Sequence, residues 1–204
     1  MKKLLMAATA MLIGGFVFAH GGKTVDAATA LKKLKTGNSK FINAKKGTGD
    51  ISPARRSETA KNGQHPYATV VTCSDSRSVP ESIFSCGIGD IFTIRVAGNV
   101  VDPQQLGSIE YAAEHLGTEL VVILGHTNCG AVGAALEEVP TEGYIHYLTD
   151  DIKSAIGDEK DYAKAVELNT RAVAGEVQKE FGETVTVVGA IYNIETGEVS
   201  WLEQ

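Results

Sequence analysis

Cys73, Asp75 and Arg77 stand at alternate positions in Thr72-Cys73-Ser74-Asp75-Ser76-Arg77, directly after the apolar run Ala68-Thr69-Val70-Val71. Later in the chain, Leu120-Val121-Val122-Ile123-Leu124 runs into Gly125-His126-Thr127-Asn128-Cys129-Gly130. Two thiols, an imidazole and a carboxylate therefore follow two similar apolar segments. Thiolate and imidazole are the usual zinc ligands, and a carboxylate can complete the set. His126 and Cys129 lie three residues apart on a turn that enters a helix, so both can face one ion. A helix N-terminus also favours negative charge on a thiol there. In an extended segment alternate residues share a face. That sets Asp75 beside Cys73, and Arg77 beside Asp75, where guanidinium and carboxylate can form a bidentate pair.

Each residue also has an ordinary reading. A cysteine is commonly a small buried hydrophobe. Cys73 and Cys129 could instead form a structural disulfide, which an exported chain permits. His126 could be a satisfied core histidine, and Asp75–Arg77 a simple ion pair. HxxC alone carries little information and CxDxR somewhat more. Together, each after an apolar strand, they favour a metal site over the ordinary readings.

The elements that must position these groups read as α/β. Short β-branched or apolar runs predict strands at residues 67–72, 91–96, 119–124 and 184–192. Continuous apolar strands such as Glu119-Leu120-Val121-Val122-Ile123-Leu124 belong to sheets buried on both faces, hence mainly parallel. Between them lie predicted helices at 104–116, 130–135, 147–156 and 162–181. The first of these is closed by Gly117. Residues 25–46 have helical spacing through Leu31, Leu34, Phe41 and Ile42, with Gly37-Asn38 expected to break them into two pieces. Residues 46–53 read as loop. After the turn Asn193-Ile194-Glu195-Thr196-Gly197, residues 199–202 read as an antiparallel edge strand. Strands alternating with helices imply a central, mainly parallel sheet flanked by helices. In such sheets, ligands bind beyond the C-terminal ends of the strands, and both motif loops leave from there.

The 204 residues, 43% hydrophobic and 22% charged, suffice for one domain, expected over residues 20–204. A net charge of −6 without a long basic run argues against nucleic acid as a partner. Residues 1–19 read as a cleaved signal peptide: Lys2-Lys3, an uncharged apolar stretch, then Val17-Phe18-Ala19 before a cut at His20. The apolar stretch is shorter than the roughly 20 residues of a spanning helix, and Gly14-Gly15 interrupts it, so no stable membrane anchor is expected after cleavage. Losing Lys2 and Lys3 from 19 basic residues leaves 17 against 25 acidic ones, a net −8. The expected destination is the periplasm, with the cell exterior as the alternative.

These motifs resemble the β-class carbonic anhydrases. The resemblance rests on Cys73-Ser74-Asp75-Ser76-Arg77 and Gly125-His126-Thr127-Asn128-Cys129-Gly130-Ala131. It extends to Gly89-Asp90-Ile91-Phe92, Arg95-Val96-Ala97-Gly98-Asn99, Gly107-Ser108-Ile109-Glu110-Tyr111-Ala112 and the last strands. It implies one Zn2+ per chain on Cys73, His126 and Cys129, with Asp75 as a conditional ligand. In the active state of the family, Asp75 would pair with Arg77 and zinc-bound hydroxide would attack carbon dioxide, giving bicarbonate and a proton. Gln64, Phe92, Tyr111 and Gly130 would contact the substrate, partly from a neighbouring subunit. The resemblance also implies a homodimer or dimer of dimers, with N-terminal helices packing on the partner. Relatives of the same fold hydrolyse carbonyl sulfide or carbon disulfide on the same ligands, and a non-catalytic protein stapled by a Cys73–Cys129 disulfide is the reading from another class. His65 and His146 are proton-transfer candidates by type alone. Cys86 reads as an incidental thiol. The connection from the helix ending near Phe181 into the next strand looks shorter than the family's.

Overall fold

In the computed structural model, residues 25–44, 49–137 and 143–203 are described. The expected signal peptide lies outside them. Five strands form one sheet: β1 (Thr69–Thr72), β2 (Phe92–Arg95), β3 (Leu120–His126), β4 (Thr186–Tyr192) and β5 (Val199–Trp201). Their order is β2-β1-β3-β4-β5. The first four are mutually parallel, and β5 runs antiparallel to β4. Thr72, the last residue of β1, lies opposite Leu124, and β3 continues two residues further to His126. The loops after β1 and β3 thus leave the same edge of the sheet as neighbours, as the motif spacing requires.

Period-two alternation assigns the strand side chains to two cores. Val70, Val122 and Leu124 pack with Ala30, Leu34, Ile83 and Phe84. These come from α1 (Ala27–Asn43) and from α3 (Pro80–Ile83) and its cap. Val71, Val121 and Ile123 pack on the other face with Ile109, Val173 and Val177. Those residues belong to α4 (Pro103–Glu110), which continues as a widened turn over Tyr111–His115, and to α7 (Tyr162–Phe181). β3 is buried along its whole length because helices cover both faces. A third cluster caps the C-terminal sheet edge, joining Cys73, Cys129, Val132, Ile152, Ile156, Ala165 and Val166. It is built from α5 (Gly130–Leu136), α6 (Ile145–Ile156) and α7. Truncating a fully buried residue such as Ile152 to alanine should cost about 2–5 kcal/mol. No helix among the described residues is long and apolar enough to cross a membrane.

Two expectations change. Gly37-Asn38 does not break α1, which runs unbroken through both residues. Gly37 is glycine because the helix lies directly on the Phe84 backbone; a Cβ there would stand 1.9 Å from the Phe84 carbonyl oxygen. The Asn38 side chain donates to the carbonyls of Ile83 (3.2 Å) and Gly197 (2.8 Å) and accepts from Val199 N–H (3.1 Å). Both residues fasten the helix instead of ending it. The second change is α2 (Pro53–Asn62), which the apolar pattern does not announce because none of its residues is buried. Local chemistry starts it: Ser52 caps Arg55 N–H and Pro53 occupies the first turn. Arg55 then ties it to the Ile88 carbonyl (2.8 Å) and to Asp90 (3.1 Å). α3, a single turn begun at Pro80, is likewise not announced by the pattern, while the helices and strands that the sequence does announce lie within a few residues of their expected positions. α7 ends at Phe181 and β4 begins at Thr186; Gln178 bridges the connection, donating to the Gly182 carbonyl and accepting from Val187 N–H.

Candidate metal centre

The sulfur atoms of Cys73 and Cys129 and a ring nitrogen of His126 all lie within 4.8 Å of one another, and all three residues are buried. Cys73 follows the last residue of β1, His126 ends β3, and Cys129 caps α5. Asn128, at φ 55°, turns the chain so that Cys129 comes back toward His126. All three cysteines are free thiols, so the Cys73–Cys129 disulfide of the ordinary reading is not formed.

The imidazole is oriented as a ligand should be. Its Nδ1 lies 2.8 Å from the Thr127 carbonyl, which can only accept, so Nδ1 carries the proton. Nε2 is left with a free lone pair, fully buried and without a hydrogen-bond partner. A buried polar atom without a partner is rare, and here it faces two sulfurs. Burial opposes a charge on His126, but the Cys73 sulfur and the Thr127 carbonyl outweigh it and raise its pKa above the ordinary value.

The two thiols share their protons unequally. The hydrogen bond from Cys129 pulls the Cys73 thiol down to about 4 against the effect of burial, helped by His126 and by the Asp75 and Gly98 amides. The same bond, together with burial, pushes the Cys129 thiol up. A cation beside the pair would favour a second negative sulfur next to the first. Amides at the start of α5 (Ala131 and Val132) favour that second thiolate. Two sulfurs and one imidazole nitrogen around a common space are the donor set of a zinc site with one position left open. The residues fit zinc.

Asp75 stands beside this cluster, its Oδ2 3.9 Å from His126 Nε2. Arg77 grips it: Nε donates to Oδ1 (2.9 Å), Nη2 to Oδ2 (2.7 Å), and the Arg77 backbone N–H to Oδ1 (2.9 Å). These bonds hold the carboxyl well below the usual carboxylate range, against partial burial. The approach is a turn, with Ser78 N–H bonded to the Asp75 carbonyl, and not the extended segment expected from the alternation. Arg77 also reaches the Asn128 carbonyl (3.2 Å), linking the two motif loops.

Two contributors were not assigned roles from sequence. Arg95, at the end of β2, donates to the carbonyls of Cys73 (3.2 Å) and Asp75 (2.7 Å). Gly98 N–H points at the Cys73 sulfur, 3.3 Å away. Both belong to Arg95-Val96-Ala97-Gly98-Asn99, and their signal was position: this loop leaves the strand next to β1 at the same sheet edge. Of the expected substrate contacts, only Gly130, at the first residue of α5, lies at this edge. Phe92 begins β2, opposite Thr69 at the other end of β1, with its ring 6.1 Å from that of Tyr111. Gln64 is exposed in the segment before β1. Within one chain, these three are not gathered around Cys73, His126 and Cys129.

A family model for carbonic anhydrase matches residues 68–199, a span that holds every candidate ligand. Carbonic anhydrase 2 of Mycobacterium tuberculosis is 34% identical over 185 residues, covering 82% of this chain and 89% of the relative. The chain belongs to the β-class carbonic anhydrase family. Among solved structures, a β-carbonic anhydrase of Sordaria macrospora, described as tetrameric, superposes with a TM-score of 0.66 at 26% identity, covering 87% of this chain and 95% of its own. A carbon disulfide hydrolase superposes with a TM-score of 0.56 at 18% identity, covering 72% of this chain and 86% of its own, a likeness of fold alone. Family membership makes Cys73, His126 and Cys129 the expected zinc ligands, in agreement with the donor geometry.

Proposed function

We propose that this protein catalyses the reversible hydration of carbon dioxide to bicarbonate and a proton, on a zinc ion held by Cys73, His126 and Cys129, in an exported compartment. The observation that carries the proposal is the buried convergence of two thiols and a partnerless imidazole nitrogen, with an arginine-held carboxylate beside it. Zinc with three protein ligands and an open position supplies an acidified water, with a pKa near 7 in the long-known three-histidine carbonic anhydrase site. Cys73, His126 and Cys129 would hold the ion. Two thiolates give it more charge than imidazoles would, so the surroundings must compensate. Asp75, kept ionised by Arg77, would accept a hydrogen bond from the reacting water and orient its lone pair. Arg77 would also keep the carboxylate from taking the open position itself. Arg95 holds the backbone on both sides of Ser74, so the carboxylate and the Cys73 ligand keep a fixed relation.

Substrate contacts would come from Gly130 in the same chain, and from Gln64, Phe92 and Tyr111 of a second copy. The separation of those three from the ligand edge supports this, as does the position of β2 at the edge of the sheet. A homodimer or dimer of dimers is the implied assembly. Sedimentation as a monomer at working concentration would remove this part. Export rests on the sequence of residues 1–19; full-length protein retained inside the cell and still carrying Met1 would count against it.

Carbon disulfide or carbonyl sulfide hydrolysis on the same ligands is the neighbouring reading. Stopped-flow assays with all three substrates separate them. Rapid carbon dioxide hydration is expected; sulfide release with no hydration above the buffer rate would reverse the assignment.

A further inference from the structure

We infer that Asn169 is a positioning residue for the metal centre: from the middle of α7 it pins Gly98, whose N–H is bonded to the Cys73 sulfur. The inference rests on the zinc reading above. Two backbone amides point at that sulfur. That of Asp75 (3.4 Å) comes with the ligand's own loop. That of Gly98 (3.3 Å) is delivered from the loop after β2, 25 residues further along the chain. Its delivery depends on an unusual backbone. Gly98 has φ 73°, and the next residue, Asn99, is also left-handed at φ 48°. Successive residues in this region, one of them not glycine, need outside restraint to persist.

Asn169 supplies that restraint. Its Nδ2 donates to the Gly98 carbonyl at 2.8 Å, across 71 residues. Gly98 is thus held on one side by the sulfur and on the other by the amide. Packing closes the remaining direction: a Cβ on Gly98 would stand 2.7 Å from Ile152 Cδ1 and 3.2 Å from the Ala131 Cβ. The orientation of the Asn169 amide is fixed by chemistry, since a carbonyl can face only its donor end.

The cost side of this arrangement points away from a purely structural role. Asn169 is 1% exposed, between Val166 and Val173 on the buried face of α7. Its Oδ1 has no protein partner. A leucine, which has the same branching and number of side-chain heavy atoms, would be buried there without that desolvation penalty. What a leucine could not do is hold the Gly98 carbonyl. Hydrogen bonds to metal ligands orient them and set their donor strength, and losing one typically lowers metal affinity about 10–100-fold.

The test compares Asn169→Leu with Val177→Ala, a change two turns along the same helix in a different core cluster. Two readouts are followed on the full chain: the rate of zinc transfer to a chelator, and the sulfur-to-metal absorption of the cobalt(II) form. Asn169→Leu should surrender zinc about 10–100-fold faster and shift the cobalt absorption, while Val177→Ala matches the wild type in both. Should the leucine variant not fold, Asn169→Ala carries the same comparison. An Asn169 variant with wild-type zinc release and spectrum overturns the inference. So does one whose changes are matched by Val177→Ala. A wild type that binds neither metal overturns the zinc reading itself, a result separate from both.

Discussion

Cys73 and Cys86 are equally buried, each 5% exposed, and both are free thiols. Their chemistry is opposite. Burial pushes the Cys86 thiol up to about 11, with Asp90 and Glu81 adding repulsion, and the Tyr67 hydroxyl 3.1 Å away does not compensate. Cys73 is drawn down to about 4 by the Cys129 thiol, His126 and two backbone amides. Burial alone therefore makes an inert thiol. Burial among donors that lie within 4.8 Å of one another makes a candidate ligand. Cys86 sits under α1 on a core face, where the sheet only packs; Cys73 sits past the end of a strand, where two loops meet.

The comparison can be broken most forcefully at the ligands. Cys129→Ala should lose bound zinc and carbon dioxide hydration together, to the level of the buffer, while Cys86→Ala keeps both. Metal analysis beside stopped-flow rates reads this, and zinc loss in Cys86→Ala would invert the contrast. A smaller effect is expected at the carboxylate. Arg77→Ala should retain about one zinc per chain yet lose activity about a hundredfold or more, as removal of a positioned proton-handling group does. Full activity in that variant would remove the role assigned to Arg77.

The acid range sharpens the same point. Arg77 depresses the Asp75 pKa, so the pair contributes stability above the usual carboxylate range and loses it as pH falls through and below that range. The stability gap between chelator-treated wild type and Arg77→Ala should be widest near neutrality and close in acid. Denaturant midpoints across pH would show it, and a gap that grows in acid would contradict the sign. The smallest effect concerns labelling. In metal-free protein at neutral pH, an alkylating reagent should modify the Cys73–Cys129 pair well before Cys86. Mass mapping that finds Cys86 first would erase the distinction.

The candidate ligands were legible because a parallel strand fixes where its C-terminal loop must go. Two apolar runs, each followed by donors, place those donors at one edge whatever the details between. The helices with an apolar stripe were legible for a related reason. α2 was not, because it buries nothing and begins on a local Ser-Pro cap. Gly37-Asn38 was misread because glycine and asparagine announce a break by propensity, whereas here they serve close approach and three tertiary hydrogen bonds. Phe92 carries a family motif, yet its distance from the ligand edge is a property of the register, which local pattern does not contain. Gly98 and Asn169 act across long sequence separations, and no spacing rule links them.

The most direct test is a zinc count made on the same preparation as a stopped-flow measurement of carbon dioxide hydration. About one zinc per chain, with a hydration rate far above the buffer, is the result this account expects. One zinc per chain with no rate above the buffer would contradict it.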